Sequence, residues 1–515
     1  MEGARPLTPR AVVLASADVD GGQTSLLHSC EDCACEVATR PVRTNDHTDL
    51  RADREGRWIR GSDIVESRLD DEHHLLFNPL GSGGVVVIND VARRIFARFT
   101  DAATIASANA NLTGSEQSEA RRVTDLLRDL EMIQPADRPT PPAAPATADG
   151  QLLTAWLHLT NDCNLRCPYC YLHKSGEAMD QATGLAAVDA VVRSALDHGF
   201  PAIKLKYAGG EASLNRPLLL SLHEYARART AQHGLQLHAT LLSNGVALPG
   251  ALIGDLRSAG IRIMISLDGI GDRHDVQRPF LNGNPSFAAV ERTIARLIAA
   301  DHRPHLSITV TNRNADGLPE VVRFALERDL TFSLNFFRDN ECAAPFADLQ
   351  YAEQSMISAL LAAFEAVEQR LPRWSVLGSI LDRGQLVQPR MHACGVGRDY
   401  VVIDQRGRVA KCHMEIERTL GDVFQHDLLD LVRNDRATVQ NLPVIEKEGC
   451  RDCTWRFWCS GGCSVATFRA TGRYDVKSPN CNIYRAIYPP ALRLEGLRLL
   501  AYANRPGGSW LRSPE

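Results

Sequence analysis

The chain has 515 residues, 44% of them hydrophobic and 23% charged, with a formal net charge of −5. That length exceeds one ordinary core and predicts two to four domains. The charge offers no basic footprint for nucleic acid, and no apolar run reaches membrane-spanning length.

In chain order, residues 1–59 read as a polar, poorly ordered segment. Its apolar stretch "AVVLASA" is too short and interrupted for a signal peptide, so a cytoplasmic location is expected. Its "CEDCAC" sets Cys30, Cys33 and Cys35 either around a zinc ion or a redox cluster, or as spare thiols. Residues 60–136 read as a compact unit. "HHLLFN" and "GGVVVIN" are two short strands about a Gly-rich turn. "NDVARRIFARF" starts on Asn89 and Asp90 and spaces Val91, Ile95, Phe96 and Phe99 as a helix does. "DAATIASA" and "SEQSEARRVTDLLRDLEMI" add a short and a longer helix, which together predict a small winged-helix module. "DRPTPPAAPATADG", 137–150, predicts an extended, mobile Pro/Ala linker.

Over 151–345 six strand candidates alternate with amphipathic helical stretches: "LLTAWLHLT" (152–160), "AIKLKYAGG" (202–210), "LQLHATLLSNG" (235–245), "RIMISLDG" (262–269), "HLSITVTN" (305–312) and "LTFSLNFF" (330–337). Six β-then-α units predict a parallel sheet closed wholly or partly into a barrel. Chemistry is then expected at the carboxyl ends of the strands. A helical bridge (346–393), a cysteine-rich part (394–485) and a helical tail (486–515) follow.

The fourteen cysteines are bunched at short spacings, which in a chain with ample core favours metal or cluster ligation over disulfides. Directly after the first strand, "TNDCNLRCPYCY" sets Cys163, Cys167 and Cys170 in a C-x3-C-x2-C spacing. Zinc normally takes four closed ligands, and no fourth lies in this loop. Three cysteines suit a cubane [4Fe–4S] cluster with one iron left open. The spacing resembles the signature of the radical S-adenosylmethionine (SAM) enzymes. Three strand ends resemble further family motifs: "YAGGEA" with Gly209, Gly210 and Glu211, "LLSNG" with Ser243 and Asn244, and "ISLDG" with Ser266 and Asp268. The resemblance implies that SAM chelates the open iron and is cleaved reductively to a 5′-deoxyadenosyl radical, which abstracts a substrate hydrogen. It also implies that backbone at Gly209, Gly210 and Glu211 meets the methionyl ammonium, glycine permitting close approach. Ser243 and Asn244 belong to the same implied SAM site, where Ser266 and Asp268 bond the ribose and carboxylate.

The last cysteines, Cys394, Cys412, Cys450, Cys453, Cys459, Cys463 and Cys481, resemble the register of the SPASM domain. That resemblance implies two auxiliary [4Fe–4S] clusters, three with the SAM-binding one. Cys450, Cys453, Cys459 and Cys481 would hold the outer cluster, and Cys394, Cys412 and Cys463 the inner. The inner set is one ligand short: His392 or Cys342 completes it, or the site stays open for a substrate thiolate. His413 follows Cys412 where sulfatase-maturing relatives carry an acidic proton acceptor, making it a candidate base or a plain surface histidine. His274, Asp275 and Arg278 of "DRHDVQRP" either line the pocket or cap the next loop, and Trp455 and Trp458 read as packing.

The 60–136 unit resembles the PqqD-like peptide-recognition element, implying a leader peptide bound as an added edge strand. On a mobile linker it would raise the local concentration of a tethered substrate. The expected protein is therefore α/β: a partial (β/α)6 radical SAM barrel with a small N-terminal winged-helix module and a C-terminal cysteine-rich SPASM domain. The expected activity is maturation of a ribosomally made precursor peptide by thioether, C–C or C–O crosslinking. A flavodoxin- or ferredoxin-type electron donor is expected, with no nucleic-acid or membrane partner. The rival readings are a maturase of a folded protein (sulfatase or quinoprotein type) and an iron–sulfur sensor that contacts DNA.

Overall fold

The computed structural model describes residues 56–137, apart from 82, 83, 111 and 113, and residues 151–503; residues 13–15, 114, 115 and 503 are described by backbone alone. Cys30, Cys33, Cys35 and nearly all of the expected linker lie outside the described residues.

Strands β1 (Val13–Ala15), β2 (Arg57–Arg60), β3 (Val65–Arg68), β4 (His73–Phe77) and β5 (Val85–Asn89) come first. Four of them form an antiparallel sheet in the order β1-β5-β4-β3. β6 (Ala103–Thr104) and β7 (Ile133–Pro135) flank β2 in a second small sheet. The Asn89 side chain accepts from Ala92 N at 3.0 Å and starts helix Asp90–Ala97, as its capping chemistry predicts. Helices Ile105–Ala108 and Gly114–Asp129 complete the unit. "RWIR" and "VESR" carry no alternating apolar run, so β2 and β3 were not foreseen; β2 crosses the 59/60 division.

Alternation along β4 and β5 decides where this unit sits. Leu76, Val86 and Ile88 point to the unit's own core with Trp58, Phe96 and Phe99. Leu75, Phe77, Val85 and Val87 point to the opposite face and join the main core of the chain. There they meet helix Cys481–Ala503, whose Gly496 leaves the space: a Cβ at that position would lie 2.9 Å from Leu69 Cδ1 and 3.0 Å from Leu75 Cδ1. Phe77 stacks on Trp455 at 5.8 Å and meets Trp458 edge-on at 4.7 Å, and Trp458 Nε1 donates to Pro79 O at 2.9 Å. Rather than swinging on a tether, the unit is docked, because its sheet is apolar on both faces.

Strands β8 (Leu153–His158), β9 (Ala202–Ala208), β10 (Gln236–Ser243), β11 (Arg262–Ser266), β12 (His305–Val310) and β13 (Phe332–Phe336) are parallel and neighbours in sequence order. All six sequence-predicted strands are present, alternating with helices such as Gln181–Asp197, Arg216–Gln232 and Phe287–Ala299. The barrel stays open. The free edge of β8 takes β14 (Tyr400–Ile403) in parallel, and β15 (Arg408–Ala410) and β16 (Thr419–Asp422) follow antiparallel, giving one nine-stranded sheet. The cysteine-rich part thus extends the barrel sheet, and all four side chains of β14 are buried. The helical tail is longer than read, since helix Cys481–Ala503 runs 23 residues across the 485/486 division.

Phe77→Ala should cost about 3–5 kcal/mol, the usual loss for a buried phenylalanine truncated in a packed core. The measurement is the denaturant midpoint, with faster proteolysis between the N-terminal unit and the barrel as the expected companion.

Candidate active site and metal centres

The cysteine loop is held by the end of β9. Gly210 N donates to Thr160 O at 2.6 Å and Glu211 N to Asp162 O at 2.8 Å. A Cβ on Gly209 would lie 2.5 Å from Thr160 O, and one on Gly210 would collide with the carbonyls of Asn161 and Asp162. The glycines are therefore required by the loop's own backbone, not only by a ligand. With both N–H groups committed, the carbonyl oxygens are what this strand end offers a cation.

Glu211 is buried, and both its oxygens are engaged. Oε1 accepts from Ser213 N, Ser213 Oγ and Ser243 Oγ at 3.2, 2.6 and 2.9 Å; Oε2 accepts from Asn244 N at 2.7 Å. Asn244 Nδ2 donates to Asn164 Oδ1 at 2.7 Å and approaches Cys163 Sγ at 3.7 Å. Two strand ends and the cysteine loop are thereby fixed to one another.

A cavity of about 240 Å³ opens here, lined by Cys163, Cys167 and Cys170 and by Gly209, Gly210, Glu211, Ser243, Asn244 and Ser266. Asp268 does not line it. Its Oδ2 accepts from Tyr169 Oη at 2.5 Å and its Oδ1 from Thr309 N at 2.8 Å, behind the wall. Burial pushes the Asp268 carboxyl up, against the pull of Arg278. Of the three charged residues after β11, only Arg278 reaches the cavity. Asp275 Oδ1 accepts from Ser286 N and Phe287 N, both at 2.7 Å, at the start of helix Phe287–Ala299. His274 is fully buried and accepts from Asp268 N at 3.3 Å.

The cavity wall also carries Lys174, Arg338 and Arg383, giving four cations with Arg278. Arg338 pairs with Asp382 at 2.6 Å. No local sequence signal marks Arg338 or Arg383, which reach the cavity from segments 45 residues apart. Tyr169 and Tyr171 lie in the quoted motif but had no assigned part. His413 lines the same cavity, stacked on Trp156 at 4.6 Å, with its Nδ1 3.1 Å from Tyr400 Oη.

The remaining cysteines gather in two groups. Cys450, Cys453, Cys459 and Cys481 act electrostatically on one another. Cys394, Cys412 and Cys463 form the second group. Cys342 belongs to neither: its Sγ lies 3.6 Å from His173 Nε2, on the Cys170 side of the cavity. It is thus no fourth ligand for the Cys394 group. His392 Nδ1 lies 2.5 Å from Arg398 NH1.

The residues fit iron–sulfur clusters. Burial pushes the Cys167, Cys412 and Cys450 thiols up to about 12, so a thiolate there requires a bound cation. Cys463 is the exception: burial raises it, but Arg338 and Arg383 outweigh that and hold it low. Sulfurs around a single zinc ion would sit about 3.8 Å apart, given a Zn–S bond of 2.3 Å. Among the described residues no three cysteine sulfurs lie within 4.8 Å of one another. That wider spacing suits a multi-iron cluster, and the cationic wall suits its negative charge.

An open parallel barrel with a three-cysteine loop at its strand ends defines the class. The radical SAM superfamily matches residues 157–325, and the SPASM iron–sulfur cluster-binding domain matches residues 394–454. Residues 157–325 thus form a radical SAM domain and 394–454 a SPASM domain, and the cofactors of an enzyme so built are iron–sulfur clusters and SAM. An uncharacterized protein, MJ0907, of Methanocaldococcus jannaschii is 30% identical over 175 residues, 33% of this chain and 57% of that protein. The chain thus spans somewhat over half of that relative. A PqqA peptide cyclase of Xanthomonas axonopodis pv. citri is 24% identical over 346 residues, covering 64% of this chain and 87% of the cyclase. The cyclase of Gluconobacter oxydans is 26% identical over 350 residues, 63% and 89% of the two chains. Among solved structures, native anSMEcpe with bound AdoMet and Cp18Cys peptide shares the fold, with a TM-score of 0.56 at 19% identity over 67% of this chain and 99% of that one.

Gly210→Ala should force the cysteine loop away and lower iron content by one cluster's worth, read by iron analysis, with the SPASM cysteines still loaded. A pH effect follows from two buried histidines. Burial lowers His158 to about 4 and, with Arg278 adding to it, His274 to about 3. Unfolded, each takes its proton near the ordinary histidine value of 6.5, so the unfolded state binds more protons below that pH. Stability is full above about pH 6.5 and falls as pH drops towards 4. At pH 5 each histidine should cost about 2 kcal/mol, measured as a falling urea midpoint.

Proposed function

We propose that this enzyme matures a ribosomally synthesised peptide, abstracting hydrogen from a substrate carbon and closing a thioether, C–C or C–O crosslink. The observation that carries the reading is one shared chamber: the Cys163–Cys170 loop lines the same cavity as His413 and Met414, which directly follow Cys412. The site of hydrogen abstraction and the neighbourhood of an auxiliary centre are then adjacent. Likeness to PqqA peptide cyclases over most of their length supports a peptide substrate.

When bound, the clusters and SAM supply a 5′-deoxyadenosyl radical and an acceptor for the electron left after bond formation. We assign three clusters, on Cys163/Cys167/Cys170, on Cys450/Cys453/Cys459/Cys481 and on Cys394/Cys412/Cys463. Trp156, Tyr169 and Tyr171 exclude water from the cavity, and Lys174 and Arg278 offer positive charge for the SAM carboxylate. His413, held by Tyr400 Oη and Trp156, is the basic side chain suited to accept the proton released on crosslinking. The N-terminal unit binds the precursor's leader as a PqqD-like element. The order β1-β5-β4-β3 supports this, because among the described residues β3 pairs on one side only and leaves an edge that an extended segment can join. A flavodoxin- or ferredoxin-type donor delivers electrons in the cytoplasm; among the described residues no helix is long and apolar enough to cross a membrane. No observation of this kind favours a folded-protein substrate or a DNA-binding sensor.

The test is anaerobic co-expression with any short peptide encoded beside the gene, followed by mass spectrometry. The expected product has lost two hydrogens at one residue pair, and Cys163→Ala abolishes the loss. An unchanged peptide alongside continued SAM cleavage would overturn the peptide reading.

A further inference from the structure

Lys447 is wholly buried, and among the described residues its Nζ has no hydrogen-bond partner. It lies on the turn that opens the outer cysteine group, its carbonyl accepting from Cys450 N and Arg451 N, both at 3.1 Å. Its side chain runs beneath Gly461, which sits at φ 76°. A Cβ there would lie 2.6 Å from Lys447 Cδ and 2.9 Å from Nζ, so the missing side chain makes room for the lysine. Gly461 lies between Cys459 of the outer group and Cys463 of the inner. The charged groups acting most on the ammonium are thiols of both: Cys450 and Cys459, then Cys394 and Cys463.

A buried ammonium with no partner is strongly disfavoured and persists where anionic charge faces it. Thiolate-ligated clusters carry such charge. We propose that Lys447 is an internal counter-charge shared by the two auxiliary clusters, holding their reduction potentials above what thiolate ligation alone would set. This rests on the reading that both cysteine groups hold clusters. Lys447 itself exchanges no electron, proton or bond; it is a positioning residue for charge.

The arrangement makes the effect unequal. Arg338 and Arg383 also face the inner group. The outer group's other cations, Lys477 and Arg485, act on Cys481 from exposed positions, where water screens them. Losing Lys447 should therefore move the outer cluster more than the inner.

The experiment is a redox titration followed by EPR on the anaerobically purified holoenzyme, comparing the parent with Lys447→Met and Lys447→Arg. Iron and sulfide analysis comes first: a parent enzyme with fewer than two auxiliary clusters sinks the cluster reading rather than the role of the lysine. With all clusters present, Lys447→Met should lower the reduced-to-oxidised ratio of the outer cluster roughly tenfold at fixed poise, about 59 mV for a one-electron couple. Lys447→Arg should restore it, and the SAM-binding cluster should not move. Unchanged auxiliary potentials at full iron content would overturn the proposal. Should Lys447→Met lose iron, Lys447→Arg decides: full iron with parental potentials supports the counter-charge, and iron loss in both assigns the lysine to packing.

Discussion

The site depends on one backbone-to-backbone contact, the end of β9 laid against residues 160–162 with no side chain between. Two short hydrogen bonds from Gly210 and Glu211 close it. From that contact the rest follows in order. Glu211 is carried inward, where it collects donors from Ser213, Ser243 and Asn244. Asn244 in turn reaches back to Asn164 and Cys163. A loop of cysteines, which would otherwise be a mobile chelate, becomes a preorganised part of the barrel rim. A buried carboxylate with both oxygens engaged is a rigid joint, since breaking any one bond leaves a desolvated donor behind.

Charge is the second constraint. The thiols are buried where ionisation is costly, and the chain surrounds them with cations, of which Arg338 also meets Asp382 at 2.6 Å and Arg278 meets Asp268 at 3.5 Å. Arg338, Arg383, Arg278 and Lys174 line one cavity, and Lys447 lies beneath the two C-terminal groups. Anionic clusters would complete this balance, because buried cations that face one another repel. Asp382, holding Arg338 at 2.6 Å and accepting from Tyr484 Oη at 2.9 Å, fixes one of these cations to helix Cys481–Ala503. The cationic wall and the C-terminal helix are therefore mechanically one piece.

That helix also carries the N-terminal unit. With Gly496 under Leu69 and Leu75, and Phe77 against Trp455 and Trp458, a peptide bound to the N-terminal sheet would be held at a set distance from the outer cysteine group. Recognition by that sheet would then be joined to the chemistry by packing, which constrains a substrate more tightly than a flexible tether would.

Local chemistry in the sequence determined a good deal by itself. Four of the six barrel strands are short apolar runs ending in Gly or Asn, and the Cys163–Cys170 loop is written in its spacing, because both depend on residues close in the chain. The placement of Asp268 was not legible: a carboxylate at a strand end reads as ligand-facing, and only the positions of Tyr169 and Thr309, from other elements, turn it behind the wall. The same holds for Arg338, Arg383 and Lys447, whose meaning comes from charges far away in sequence. Whether the N-terminal unit swings or docks was equally a tertiary matter. The alternation "VVVI" shows two apolar faces, but only the folded chain shows that the second face is covered by a helix some 400 residues later. Spacing along the chain sets which groups can ligate; burial and long-range charge, which no local pattern records, set what surrounds them.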